Sequence, residues 1–89
     1  MHGKNEHEII ELAKVNPAAF GVLFDKYHKP ILRYALHRTG NAETASDIAS
    51  ETFFKALNKI GTYRFTGAPF SAWLYRIAGN EIICKSVHR

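Results

Sequence analysis

Apolar residues recur along most of this chain at spacings of three, four and seven, which places them on one face of an α-helix. One continuous stripe is formed by Phe20, Leu23, Phe24, Tyr27, Ile31, Tyr34 and Ala35. Two further stripes follow, one made of Ala45, Ile48, Ala49, Thr52, Phe53, Ala56 and Ile60, the other of Phe70, Trp73, Leu74, Ile77 and Ala78. Everything periodic has the helical period, so the pattern predicts an all-α fold, a compact bundle of three to four helices without strands.

Turn and capping residues mark the expected ends of the helices within a single domain at 1–89. The expected segments are a short N-terminal helix and link at 1–16, a kinked helix at 17–40, a third helix at 41–60, a loop at 61–69 and a last helix at 70–89. Asn16 and Asn41 are good N-caps, and Gly40 suits the left-handed position that ends a helix. Pro30 removes one backbone hydrogen bond inside the second helix, so we expect a kink or a break near His28.

Length and composition limit the chain to one small globular domain. Its 89 residues are 46% hydrophobic and 22% charged. No apolar run reaches the ~20 residues that a membrane span needs, and the N-terminus lacks the apolar segment of a signal peptide. The single cysteine, Cys84, cannot form an internal disulfide, which fits a reducing compartment. We therefore expect a cytoplasmic protein.

Basic residues are concentrated in the C-terminal part of the chain. The net charge is +4, yet residues 1–51 contain six basic and seven acidic side chains, whereas residues 52–89 contain six basic side chains and a single acidic one, Glu81. An excess of this kind is typical of a surface that binds a polyanion. Charge alone does not separate such a surface from an ordinary solvated basic face.

A polar group with one aromatic residue lies on the third helix, opposite its apolar stripe. At about 100° per residue, the narrow arc on this outer face contains Asp47, Glu51, Phe54 and Asn58. Two carboxylates there are ordinary, but a phenylalanine centred on a polar face has no core to enter. The pattern indicates a partner-binding face, and equally allows Phe54 to be merely exposed or covered by the following loop.

Aromatic and basic residues are interleaved in the loop and at the start of the fourth helix. They are Tyr63, Arg64, Phe65, Phe70, Trp73, Tyr75 and Arg76. Bases stack on aromatic rings for ~1–3 kcal/mol each and guanidinium groups hold phosphates, so the cluster is typical of a single-stranded nucleic-acid site. Phe70 and Trp73 fit a core better than a binding surface, whereas the Tyr63–Phe65 segment is harder to bury on a loop.

Catalytic and metal-binding patterns do not occur in the sequence, so we expect neither an enzyme nor a cofactor. The histidines are scattered without metal-ligand spacing, and Cys84 has no base beside it. A helix-turn-helix also fits poorly, because that motif uses a turn of about three to four residues and the connection here is about twice as long.

Two segments closely resemble region 2 of bacterial sigma factors, especially those of the extracytoplasmic-function (ECF) type. The first is ASDIASETFFKA at 45–56, and the second is FSAWLYRIAGN at 70–80. The preceding FGVLFDKY at 20–27 matches the start of the same region. The resemblance covers 18–89, and the two segments are specific when they occur at this separation.

The resemblance implies a transcription initiation factor domain that binds core RNA polymerase and promoter DNA. The implied polymerase contact, with the clamp helices of the largest subunit, uses the outer face of the third helix, at Asp47, Glu51, Phe54, Lys55 and Asn58. The loop would capture a base flipped from the non-template strand of the melted minus-ten element, and the fourth helix would touch the same promoter region. The implied DNA contacts are Tyr63, Arg64, Phe65, Thr66, Arg76, Asn80 and Lys85. An anti-sigma factor is a further implied partner, because the family is often held inactive by one.

Some features depart from the family pattern. Ser50 stands where the family usually has glutamine, Gly79 where it has a basic residue and Cys84 where it has aspartate. The last two weaken the expected DNA contact at the far end of the fourth helix. The family's second domain, a helix-turn-helix that reads the minus-thirty-five element, is not among these residues, so we expect an isolated domain or a fragment. Two alternatives stay open: a domain that reads duplex DNA, and a protein-interaction module unrelated to polymerase.

Overall fold

Four α-helices joined by short connections make up residues 5–87, the part of the chain that the computed structural model describes. They are α1 (Glu6–Ala13), α2 (Pro17–Thr39), α3 (Ala42–Lys59) and α4 (Phe70–Val87), with a 3-10 turn at Ile60–Thr62 after α3. No strand occurs in this part of the chain, and the predicted all-α bundle is confirmed. The expected ends of the chain, at 1–4 and 88–89, lie outside the described residues. Of the helices at 5–87, none is both long and apolar enough to cross a membrane.

Three asparagines cap the first three helices. Asn16 and Asn41 each accept a hydrogen bond from a backbone N–H two or three residues further on, and Gly40 adopts the left-handed conformation with φ of +69°, as predicted. Asn5 forms a capping box: its Oδ1 accepts from the Glu8 N–H at 2.9 Å, and its own N–H donates to the Glu8 carboxylate at 3.2 Å. The Asn5 cap was not predicted, although its N-x-x-E spacing is a recognisable signal.

The second helix continues without interruption across Pro30, so the break that its position allowed does not occur. A proline inside a helix costs roughly 3 kcal/mol. Here the helix has buried residues both before Pro30, at Leu23, and after it, at Ile31 and Ala35. Packing along the whole helix therefore outweighs the local cost. The expectation of a kink stays a prediction.

The core lies between α2, α3 and α4, with α1 packed across one end of α2. Its larger part contains Leu23, Ile31, Phe53, Phe70 and Leu74, all nearly inaccessible to solvent. A smaller part at the other end contains Ala35, Ala45, Ile48 and Ile82. The many alanines at these contacts let the helix backbones approach closely. The inner side of α4 thus extends to Ile82, one turn beyond the Ala78 at which the sequence pattern ended.

Helices α2 and α4 run side by side in the same direction. The Phe70 ring at the start of α4 is 5.8 Å from the Tyr27 ring in the middle of α2, and further along both helices the Tyr34 and Tyr75 rings are 5.0 Å apart in an edge-on arrangement. Towards their ends, Ala35 shares a core cluster with Ile82 of α4. The start of α4 and the loop before it therefore lie beside the middle of α2, and the 3-10 turn of this loop also contacts α1.

Candidate nucleic-acid interface and partner-binding face

The loop between α3 and α4 does not expose all of its aromatic residues. The 3-10 turn, closed by a 3.1 Å hydrogen bond from the Tyr63 N–H to the Ile60 carbonyl, directs the Tyr63 side chain inward. Its ring packs edge-on against Phe70 at 5.2 Å and Trp73 at 5.1 Å, and only 8% of the residue is exposed. Burial, with the nearby charge of Glu6, raises the pKa of the Tyr63 hydroxyl. Of the Tyr63–Phe65 segment, which the sequence predicts to be hard to bury as a whole, the structure buries Tyr63 and leaves Arg64 and Phe65 exposed.

A cleft of about 300 Å³ lies between the loop and the first two turns of α4. It is lined by Thr62, Tyr63, Arg64, Thr66, Ala68, Pro69, Ala72, Trp73 and Arg76. Four of the expected DNA contacts, Tyr63, Arg64, Thr66 and Arg76, therefore meet in one place. Trp73 also lines the cleft and is only partly buried, so the sequence reading of it as a core residue is incomplete. The volume is at the lower end of the ~300–1,000 Å³ typical of ligand sites, which suits a single planar group.

Phe65 lies outside this cleft and is 63% exposed. It lines a second, mainly apolar cavity of about 400 Å³, together with Glu6, His7, Ile10, Tyr63, Pro69 and Phe70. The two cavities share only Tyr63 and Pro69, so these residues form the wall between them. The structure separates Phe65 from the other expected DNA contacts.

Helix α1 is joined to α2 beneath the loop by a charged hydrogen-bond group. The Glu6 carboxylate accepts from the Lys26 ammonium at 2.9 Å and from the Tyr27 hydroxyl. Burial alone would raise the pKa of Glu6, but the hydrogen bonds from Tyr27 and Lys26 outweigh it and lower the pKa. Burial and the Glu6 carboxylate raise the pKa of Tyr27. The role of Glu6 is not predictable from the sequence, because no local spacing relates residues that are 21 positions apart.

This group predicts a pH-dependent contribution of α1 to stability. The pKa of Glu6 in the folded protein is below its ordinary value of 4.5. The ionised carboxylate therefore stabilises the folded protein fully above pH 4.5, and this stabilisation is lost as the pH falls through the lowered pKa. We expect Glu6→Gln to reduce the free energy of unfolding by about 1 kcal/mol at pH 7 and by less at pH 3. Thermal unfolding at both pH values measures the difference. Glu11→Gln is the control, because the Glu11 side chain is 51% exposed and pairs with Lys14, only three positions away in the chain. A Glu6→Gln effect independent of pH would contradict the prediction.

The outer face of α3 is polar with an apolar centre, as its pattern predicts. Phe54 is 60% exposed, Asp47 and Asn58 are exposed, and Glu51 is half-buried. Leu57, which was not predicted, is also exposed and lies three residues after Phe54, on the same side of the helix. A pair of exposed apolar side chains flanked by carboxylates suits a protein partner better than solvent.

Lys55, also expected on the polymerase-binding face, is engaged within the domain. Its ammonium donates to the carboxylate of Glu81 on α4, which is only 6% exposed. The hydrogen bond to Glu81 raises the pKa of Lys55. This pair ties α3 to α4, and it leaves Lys55 less free for a partner than Asp47 or Phe54. Glu81 was not predicted, since its partner is 26 positions away.

On α4 the expected DNA contacts divide into two groups. Arg76 and Asn80 are exposed and lie one turn apart on the face that borders the cleft. Lys85 is exposed as well, but five residues beyond Asn80 it points about 140° away around the helix axis. The structure therefore brings Arg76 and Asn80 together and places Lys85 on another side of the helix.

Comparison with known proteins agrees with this architecture. The family model for sigma-70 region 2 matches residues 23–85, most of the chain. The chain is 46% identical over 76 residues to the ECF RNA polymerase sigma factor BldN of Streptomyces coelicolor, covering 84% of the chain and 29% of that protein. It is 41% identical over 61 residues to the RNA polymerase sigma factor YlaC of Bacillus subtilis, covering 68% of the chain and 35% of that protein.

A third relative, the ECF RNA polymerase sigma factor SigW of Bacillus subtilis, is 36% identical over 75 residues, which are 84% of the chain and 40% of that protein. The chain thus spans well under half the length of these relatives. The matched residues contain α3, the loop and nearly all of α4, the elements that form the outer face and the cleft. The chain belongs to the sigma-70 region 2 family and is a region 2 domain of the ECF type.

Proposed function

We propose that this domain acts in transcription initiation by binding core RNA polymerase and promoter DNA at the same time, through two separate surfaces. The outer face of α3 binds the clamp helices of the largest polymerase subunit, and the cleft between the loop and α4 binds the promoter. The cleft carries the proposal, because it places two guanidinium groups, Arg64 and Arg76, beside the accessible ring of Trp73. No residue lines both surfaces, so both partners can be bound together.

At the cleft, binding energy is used to hold the promoter strands apart. A base of the non-template strand leaves the stack at the minus-ten element and enters the cleft, where stacking contributes ~1–3 kcal/mol. This offsets an unstacking cost of a few kcal/mol. Arg64 and Arg76 hold the adjoining phosphates, and Asn80 lies one turn further along the same path. No covalent bond is made or broken in this mechanism.

At α3, Phe54 and Leu57 enter an apolar site on the polymerase, while Asp47 and Glu51 pair with basic residues at its edge. Aromatic side chains at the centre of an interface commonly contribute most of its binding energy. Lys55 contributes through its ion pair with Glu81, which holds α3 against α4. An anti-sigma factor that inactivates the domain would compete for one of the two surfaces.

Replacing the cleft arginines tests the DNA-binding part of the proposal. We expect Arg64→Gln with Arg76→Gln to weaken binding of a labelled non-template strand containing the minus-ten element by at least tenfold, which is about 1.4 kcal/mol. Lys14→Gln is the matched control, because its ammonium pairs with Glu11 on α1 and does not line the cleft. Fluorescence anisotropy with the chain bound to core polymerase provides the measurement.

Binding is also measured with two further DNAs, namely the same strand in a closed duplex and a single strand of scrambled sequence. The proposal requires wild-type protein to prefer the minus-ten single strand over both. Equal losses on all three DNAs in the double variant would show a general electrostatic effect and refute base capture. Tighter binding of the duplex by wild-type protein would instead indicate a duplex-reading domain.

A further inference from the structure

A groove between α2 and α4 has no part in the function proposed above. It has a volume of about 560 Å³ and is lined by Pro30, Arg33, Tyr34, His37 and Tyr75. Its floor is formed by the edge-on Tyr34 and Tyr75 rings. Gly79 lies beside it, and a Cβ atom there would be 3.6 Å from the Tyr34 hydroxyl oxygen. The groove is thus a defined feature of the α2–α4 contact.

Positive charge is concentrated on the part of α2 that borders this groove, and none of the residues that line the groove is acidic. The second half of α2 carries the cations Lys29, Arg33 and Arg38, whereas the acidic residue of α2, Asp25, lies before this half. Lys29, Arg33 and His37 follow one another at intervals of four and share a face of the helix. The ion pairs present among residues 5–87 involve no residue of the groove, so none of them neutralises Arg33. An anionic partner fits this surface.

The groove and the cleft lie on neighbouring sides of α4. Tyr75 lines the groove and its neighbour Arg76 lines the cleft. On the helical surface between these two positions lie Ala72 and Gly79, which have the smallest side chains. A nucleic-acid backbone that contacts Arg76 therefore passes only Ala72 and Gly79 on α4 before it reaches the groove, where Arg33 lies beside the Tyr34 and Tyr75 rings.

We propose that the α2–α4 groove binds phosphates of the DNA duplex adjoining the captured base, with Arg33 as the main contact and Lys29 and His37 beside it. This inference rests on the proposed function, because it continues the path of the strand held by Arg76. A guanidinium group suits phosphate oxygens through paired hydrogen bonds. Where the family usually has a basic residue at position 79, this chain has Gly79, and Arg33 supplies the positive charge from the neighbouring helix.

A forked DNA tests the groove separately from the cleft. One probe is the single-stranded minus-ten tail alone, and the other joins this tail to upstream duplex. We expect Arg33→Gln to weaken binding of the forked probe about fivefold, to reduce the slope of log K against log salt concentration by about 0.9, and to leave binding of the tail unchanged. Lys14→Gln, which removes one positive charge from a paired lysine at the end of α1, should change none of these values.

Binding is measured with the chain bound to core polymerase and, at low salt, with the chain alone. The inference is overturned if Arg33→Gln equals Lys14→Gln on the forked probe, if it weakens the tail as much as the fork, or if it weakens polymerase binding instead. The proposed function is judged on wild-type protein only, and it fails if the minus-ten tail binds no better than a scrambled tail. The two failures are therefore distinguishable.

Discussion

Replacing Phe54 by aspartate is expected to abolish capture of core RNA polymerase and to leave the fold intact. Phe54 is 60% exposed, so its loss costs the isolated domain little. At the polymerase contact, a charge placed where an aromatic side chain is buried should cost at least about 2 kcal/mol, a loss of roughly thirtyfold or more in affinity. A pull-down with purified core polymerase, accompanied by thermal unfolding of the free variant, measures both effects.

Val22→Asp is the matched control for this prediction. Val22 is a half-exposed apolar residue of α2, and the substitution introduces the same charge into the interior of a helix. Asp47→Lys provides a second variant on the α3 face, which reverses a charge without removing apolar surface. Undiminished polymerase binding by both Phe54→Asp and Asp47→Lys would exclude the outer face of α3 as the contact.

Replacing Tyr63 by alanine is expected to lower the free energy of unfolding by about 3 kcal/mol or more, whereas Phe65→Ala should change it by less than about 0.5 kcal/mol. The reason is the different burial of these neighbouring loop residues, 8% exposure against 63%. Tyr63 also packs against two rings of α4, Phe70 and Trp73. Denaturant unfolding of the two variants gives the comparison directly.

Tyr63→Phe removes the hydroxyl and keeps the ring, so this variant should retain most of the free energy of unfolding of the wild-type protein. The result decides how a DNA-binding defect in the loop is interpreted: a loss in Tyr63→Ala would reflect damage to the cleft wall, and one in Phe65→Ala would reflect a lost contact. If Tyr63→Ala proved as stable as Phe65→Ala, this would contradict the placement of Tyr63 as a packed residue between the two cavities.

The positions of the binding surfaces could be predicted to different extents. The outer face of α3 follows from the spacing of Asp47, Phe54 and Asn58 within one helix, and all three are exposed in the structure. Arg64 and Arg76 could be assigned to a nucleic-acid site from composition, yet their meeting at one cleft required the 3-10 turn at Ile60–Thr62. After this turn the Tyr63 side chain packs against the core, whereas Arg64 and Phe65 stay exposed.

The sequence alone determined the four helices, the caps at Asn16 and Asn41 and the glycine after α2, because these depend on residues a few positions apart. Only the tertiary structure decided the ion pair of Lys55 with Glu81, the anchoring of α1 by Glu6 and the groove at Arg33. Each of these joins side chains from different helices, separated by 20 positions or more in the two ion pairs. Helical periodicity shows which side of a helix is buried, but the neighbour of each side chain depends on how the helices pack.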